Sequence, residues 1–185
     1  METRETIGSI TITPAVMKGP MTRISNAASI AWVFAQMLLL AALAIIAPWR
    51  RGHWPPALSF GLGVALMLYA AWTGLSGVRH LGRNRTPLPE PRAGGELVTT
   101  GIYSRLRHPL NASMMAMGFG WALLWSSPAG LALALALTLF LHVKTRLEEK
   151  LLRARFAGYA DYARRVPRYI PSRFNVSHSS TPPSL

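Results

Sequence analysis

Long apolar stretches without any charged residue divide this chain. Asp, Glu, Lys and Arg are absent from Ile24 to Trp49, from Gly52 to Val78 and from His108 to Val143, which are stretches of 26, 27 and 36 residues. A soluble helix needs a polar face toward water, whereas a helix that crosses a bilayer needs about 20 apolar residues. The pattern therefore predicts an all-α integral membrane protein and excludes a soluble globular domain.

The first two stretches predict one membrane span each, over about 27–47 and 57–77. A proline, a tryptophan and two arginines follow the first span at 48–51, and this combination is typical of a membrane–water interface. Glycines recur in the second span, where small residues allow helices to approach closely in lipid. We therefore expect two helices of ordinary transmembrane length at the start of the chain.

The third stretch is too long for a single span. Its 36 residues would form a helix of roughly 54 Å, against a hydrocarbon core of about 30 Å, and Ser126-Ser127-Pro128 interrupts it. We expect two short antiparallel spans, about 110–125 and 129–143, joined by a tight turn, with a re-entrant hairpin as the alternative. Apolar residues then recur at helical spacing to about Arg165, which predicts a C-terminal amphipathic helix on the cytoplasmic membrane surface.

The chain carries a net charge of +13. With about four spans, 18 of its 20 basic residues lie on one side, and only Arg50 and Arg51 lie on the other. Basic loops face the cytoplasm, so both termini are predicted to be cytoplasmic, and the positive charge does not require nucleic acid as a partner. The absence of cysteine excludes thiolate chemistry. The excess of Arg over Lys suggests a bacterial protein of the cytoplasmic membrane.

Four segments follow from these patterns. We divide the chain into a polar N-terminal segment (1–26), two transmembrane helices (27–78), a core of loop, hairpin and C-terminal helix (79–171) and a disordered tail rich in Ser and Pro (172–185). The candidate chemistry lies in the third segment, because the hairpin brings the residues before it and after it to the same membrane face. The oligomeric state stays open.

Two adjacent acids, Glu148 and Glu149, follow the hairpin in a chain that has only seven acidic residues. Their spacing favours ordinary helix pairs with Lys144 and Arg153, and a site for a cationic ligand is the functional alternative. Neighbouring helix residues point about 100° apart. The two carboxylates are therefore not expected to face the same ligand atom.

His108 begins the hairpin, where it is either a hydrogen-bonded boundary residue or a contact for adenine or substrate. Gly118 and Gly120 indicate close helix packing, or a bare backbone against which a cofactor lies. His108 and His142 together with the two glutamates lack the spacing typical of metal ligands. We therefore predict no metal site.

The order of these motifs resembles the isoprenylcysteine carboxyl methyltransferase and phospholipid methyltransferase superfamily of integral membrane enzymes. Gly-x-Tyr-x-x-x-Arg-His-Pro precedes the hairpin, Glu-Glu follows it, and Tyr-x-x-Tyr and Val-Pro-Arg-x-x-Pro come last, all between residues 97 and 171. The resemblance implies a methyltransferase that uses S-adenosyl-L-methionine at the cytoplasmic face. It also implies a lipophilic acceptor that reacts through a carboxylate, a thiol or an amine.

The resemblance also implies the site residues. The expected cofactor-binding positions are Leu97, Val98, Gly101, Tyr103, Arg107, His108, Pro109, Gly118, Gly120, Glu148 and Glu149. His108, Glu148 and Arg168 are expected to take part in catalysis. Asn111 and Ser113 stand where the family usually has Tyr and Gly, which leaves the acceptor open. The alternatives are an NADPH-dependent membrane reductase of sterol-reductase-like architecture and a non-enzymatic membrane subunit.

Overall fold

The computed structural model of the chain describes residues 26–52, 56–82 and 95–171. These residues contain helices and no strand, which confirms the predicted all-α fold. The helices are α1 (Asn26–Trp49), α2 (Pro56–Leu81), α3 (Pro109–Leu124), α4 (Pro128–Arg155) and α5 (Tyr159–Arg165), with one 3-10 helix, η1 (Gly101–Ser104). The predicted N-terminal segment and the tail lie almost entirely outside the described residues.

Three of the described helices, α1, α2 and α4, are long and apolar enough to cross a membrane. The fourth candidate, α3, has 16 residues, which is about 24 Å of helix against a core of about 30 Å. It is the inner helix of the bundle, because it packs against α2, α4 and α1. A full crossing by α3 therefore stays a prediction.

The turn between α3 and α4 forms at the predicted Ser126-Ser127-Pro128. Ser126 has a positive φ of 46°, and the Ser127 hydroxyl caps α4 by accepting a hydrogen bond of 3.1 Å from the Gly130 amide. Pro128 occupies the first turn of α4, where a helix needs no amide donor. The Ser127 hydroxyl also donates to the Arg50 carbonyl at 2.6 Å, which ties this turn to the end of α1.

The predicted continuous helix from the fourth span to about Arg165 is wrong. α4 is a single helix of 28 residues, far longer than the expected span, and it ends at Arg155. Phe156 follows it with an extended backbone (φ −117°, ψ 110°) and lines a cavity described below. Gly158, which disfavours helix, then precedes α5.

The helices place the predicted site residues, apart from Gly118 and Gly120, at one end of the bundle. The start of α3, the ends of α2 and α4, the segment 95–108 and α5 lie at this end, which we call the site end. The end of α1, the start of α2 and the α3–α4 turn lie at the opposite end, where the Gly52 amide donates to the Ser126 carbonyl at 2.7 Å. The two ends of the bundle therefore differ in chemistry as the sequence predicts.

Gly63 of α2 and Gly120 of α3 form a close backbone contact between these two helices. A Cβ on Gly120 would lie 3.0 Å from the Gly63 carbonyl oxygen, and one on Gly63 would lie 3.0 Å from the Gly120 oxygen. Gly118 is also in a tight contact, because a Cβ there would lie 3.3 Å from Leu43. Both predicted cofactor glycines of α3 therefore pack between helices.

Replacing Gly120 with leucine should push α2 and α3 apart. Overpacking of a tight contact costs about 1–3 kcal/mol, so we expect a clearly lower melting temperature in detergent. Gly61→Leu is the matched control, because a Cβ on Gly61 meets nothing within 4 Å. Equal melting temperatures for the two variants would show that this contact does not hold the helices together.

Candidate functional site

A cavity of about 570 Å³ lies at the site end, within the range of small-molecule sites. α1, α2, α3, α4, the segment 95–108 and the residues after α4 all contribute to its wall. Seven predicted positions line it: Leu97, Val98, Tyr103, Arg107, His108, Pro109 and Glu148. The structure thus brings the residues before the hairpin together with one of the two glutamates.

The remaining predicted positions lie outside the cavity wall. Gly118 and Gly120 pack between helices, as described above. Gly101 opens η1 with a positive φ of 62°, and a Cβ there would collide with the His80 ring. Glu149 and Arg168 lie next to the cavity, behind His108. Glu149 and Arg168 form hydrogen bonds with each other instead of facing the cavity.

Glu149 is the centre of a buried ion network. Its side chain is 1% exposed and accepts two hydrogen bonds from Arg168, of 2.9 Å from Nε and 2.8 Å from Nη2. Arg107 Nη1 lies 3.1 Å from the same carboxylate, and Arg153 Nη2 lies 3.6 Å away. Bidentate pairs of this kind are strong and directional. Glu149 therefore joins the segment before α3 to the segment after α5.

Backbone hydrogen bonds hold the same two segments together. The Arg107 amide donates to the Pro167 carbonyl at 2.9 Å, and the His108 amide donates to the Arg168 carbonyl at 3.1 Å. The Tyr162 hydroxyl donates to the Tyr103 carbonyl at 2.6 Å. Burial raises the pKa of the Tyr162 phenol, so this donor stays protonated. The C-terminal segment is thus a fixed part of the site.

Glu148 faces the cavity and is 19% exposed. Its carboxylate lies 3.6 Å from His108 Nδ1 and 3.9 Å from Lys144 Nζ. His108 Nε2 lies 3.4 Å from Glu149, so the imidazole stands between the two carboxylates. The side chains of Glu148 and Glu149 thus approach different atoms of His108, as expected for neighbouring residues of a helix. Both i,i+4 pairs also form, so the structural and functional interpretations of the glutamates are compatible.

Tyr103 adds a neutral phenol to the cavity wall. Burial, together with the negative charge of Glu148, raises the pKa of Tyr103 to about 12. The hydroxyl therefore remains protonated at neutral pH. His142 does not join the site residues, because Tyr169 stands between it and His108, with ring centroids 6.1 Å from His142 and 6.4 Å from His108.

Sequence reasoning missed Gln36 and the position of Lys144 inside the cavity. Lys144 is buried and donates a hydrogen bond of 2.8 Å to Gln36 Oε1, and both residues line the cavity. A glutamine in the middle of an apolar span is the signal that points to this position. Asn111, which departs from the usual family residue, is buried, and its Nδ2 donates a hydrogen bond of 2.9 Å to Thr145 Oγ1.

Comparison with known proteins identifies a family for this chain. The sequence model of the phospholipid methyltransferase family matches residues 58–158, more than half of the chain. The match runs from α2 through α4 and therefore includes Arg107, His108 and both glutamates. It confirms the resemblance seen in the motifs.

Two curated relatives match a shorter region. The chain is 42% identical over 82 residues to the nickel-cobalt-cadmium resistance protein NccN of Alcaligenes xylosoxydans xylosoxydans, and the match covers 43% of this chain and 38% of the relative. It is 38% identical over 81 residues to the cobalt-zinc-cadmium resistance protein CzcN of Cupriavidus metallidurans, with the same coverage of 43% and 38%. The matched region is thus well under half of either relative. The family match, which covers more than half of the chain, leads to one conclusion: the chain belongs to the phospholipid methyltransferase family.

Proposed function

We propose that this integral membrane protein transfers a methyl group from S-adenosyl-L-methionine to a lipophilic acceptor. The observation that carries the proposal is the cavity at the site end, in which His108 and Glu148 stand beside apolar side chains of the membrane helices. Family membership supports methyl transfer. The cavity supports a reaction between a polar cofactor and a lipophilic molecule.

The donor set of the cavity fits this cofactor. Glu148 presents a carboxylate to the cavity, and such a group suits the ammonium or ribose hydroxyls of S-adenosyl-L-methionine. Arg107 lines the cavity, and its guanidinium is the kind of group that would bind the cofactor carboxylate. Leu97, Val98 and Phe156 supply apolar surface for an adenine ring. Arg168 is already engaged by Glu149, which favours a positioning role for it.

Methyl transfer from this cofactor needs few catalytic groups from the protein. When bound, S-adenosyl-L-methionine supplies a methyl group on a sulfonium that is already activated for displacement. The residues of the chain then need to position the acceptor and exclude water. A carboxylate or thiolate acceptor needs no general base. For an amine acceptor, His108 would be the proton acceptor, because its Nδ1 lies in the cavity wall beside Glu148.

We further propose that the site end faces the cytoplasm of a bacterial cell. Among the described residues, Arg50 and Arg51 lie at the opposite end of the bundle, whereas Arg79, Arg105 and Arg107 lie at the site end with the basic residues of α4 and α5. The excess of basic residues on the cytoplasmic side of membrane proteins supports this orientation. With four spans, both termini are cytoplasmic.

The experiment that tests the cofactor compares two ligands. Purified protein in detergent is heated with S-adenosylhomocysteine or with NADPH, and the melting temperature is recorded. A specific ligand at 100 times its Kd stabilises by about 2.7 kcal/mol, so S-adenosylhomocysteine should raise the melting temperature and NADPH should leave it unchanged. Stabilisation by NADPH alone would favour the reductase alternative and overturn the proposal.

A further inference from the structure

We propose that Lys144, held by Gln36, is a specificity-determining residue that selects an anionic acceptor over a cationic one. The inference rests on the proposed function, because it concerns the second substrate of the same cavity. In this reaction a carboxylate oxygen of the acceptor forms the new C–O bond to the methyl group. The C–S bond of S-adenosyl-L-methionine breaks with its electron pair going to sulfur, and no proton is transferred.

The first argument is the position of the ammonium group. Lys144 precedes Glu148 by one turn of α4, which places it about 6 Å farther from the site end. Its side chain is only 6% exposed. Gln36 Oε1 accepts its hydrogen bond at 2.8 Å, and Gln36 Nε2 in turn contacts Met114 Sδ at 3.1 Å. The positive charge is therefore fixed in the cavity wall by residues of three helices.

The second argument is the apolar surface around this charge. Val33 and Met37 of α1, Val78 of α2 and Met117 of α3 line the same cavity. The cavity wall thus includes residues of both α1 and α2, two helices that pack on α3 rather than on each other. A hydrocarbon tail can occupy this part. A head group attached to that tail would then lie beside Lys144.

The third argument is the balance of charge. A buried ammonium is costly unless an opposite charge accompanies it, and Glu148 lies 3.9 Å from Lys144. When Glu148 binds the cofactor ammonium, as we propose, a carboxylate acceptor replaces it as the partner of Lys144. An alkylammonium acceptor at the same place would meet a fixed like charge, which opposes binding. Lys144 would thus favour the binding of anionic acceptors over cationic ones.

The test compares two amphiphiles with the same tail, hexadecanoate and hexadecylamine. Their apparent affinities are measured with saturating S-adenosylhomocysteine, whose ammonium would engage Glu148, from the further rise in melting temperature of the protein in detergent. Methyl transfer to each amphiphile is measured separately. We expect the wild type to prefer the carboxylate by at least about tenfold, and Lys144→Gln to lose most of that preference. Lys150→Gln is the control, because Lys150 is exposed on the same helix, and it should keep the preference.

Lys144→Arg separates charge from folding. It retains a cation at the same place, so it should keep the preference for the carboxylate even where Lys144→Gln folds poorly. Equal preference in the wild type and Lys144→Gln, a preference of the wild type for the amine, or loss of preference in Lys144→Arg would overturn the inference. Stabilisation of the wild type by S-adenosylhomocysteine is recorded in the same series. If it is present while the acceptor preference is absent, the selectivity fails and the proposed function stands.

Discussion

Replacing Glu149 with glutamine should lower the free energy of unfolding by roughly 3–5 kcal/mol, the typical cost of breaking a buried ion pair. The carboxylate is 1% exposed, and the Arg107 side chain that faces it is 8% exposed. Glutamine keeps the shape but removes the charge, so Arg107 would remain buried without an anionic partner. The bidentate contact of Arg168 would also be lost. Both effects weaken the junction between the segment before α3 and the segment after α5.

The melting temperature in detergent measures this loss. Asp161→Asn is the matched control, because Asp161 is 62% exposed and pairs with the exposed Arg164, and surface pairs contribute about 0–1 kcal/mol. Glu149→Gln should therefore melt well below Asp161→Asn. If the two variants melt at the same temperature, Glu149 does not hold the site together.

Replacing Glu148 with glutamine should lower the stability less than Glu149→Gln does, but it should weaken ligand binding strongly. Glu148 lies 3.6 Å from His108 and 3.9 Å from Lys144, which is longer than a hydrogen bond. Its removal therefore costs less stability than removal of Glu149. A hydrogen bond from a charged ligand group is worth about 1.5–3 kcal/mol, so the affinity for S-adenosylhomocysteine should fall roughly 10- to 150-fold.

Ligand titration of the folded variants measures this fall. Asp161→Asn again serves as the control, because it removes an acid at the same end of the protein without touching the cavity. Unchanged affinity in Glu148→Gln would show that the carboxylate in the cavity does not bind the cofactor. The family assignment would stand in that case, and the site assignment would not.

The fold was predictable from the sequence where a local property, such as a charge-free stretch or a proline, determines the structure. The charge-free stretches correspond to α1 and α2, and the prolyl turn after Ser126 separates α3 from α4. The end of α4 was not predictable in this way, because the amphipathic pattern continues through Phe156 without a strong break. The helix ends at Arg155, and the next residue, Phe156, lines the cavity, a position that depends on tertiary structure.

The candidate site was likewise predictable only where local sequence determines it. The divergence of Glu148 and Glu149 follows from helix geometry alone, and the hairpin predicts that His108 lies near them. The Lys144–Gln36 contact joins residues that are 108 positions apart, and the Arg168–Glu149 pair depends on how the C-terminal segment folds back. No local pattern carries such information. Gly118 and Gly120 had two sequence interpretations, and the structure describes only the contact between helices.

Transfer of a labelled methyl group tests the central claim most directly. Membranes that contain the protein are incubated with methyl-labelled S-adenosyl-L-methionine and a whole lipid extract, and the label is followed into the organic phase. We expect label in a lipophilic product with the wild type, much less with Glu148→Gln, and none with membranes that lack the protein. Label that stays entirely in the aqueous phase, with wild-type protein that is folded and binds S-adenosylhomocysteine, would contradict the account.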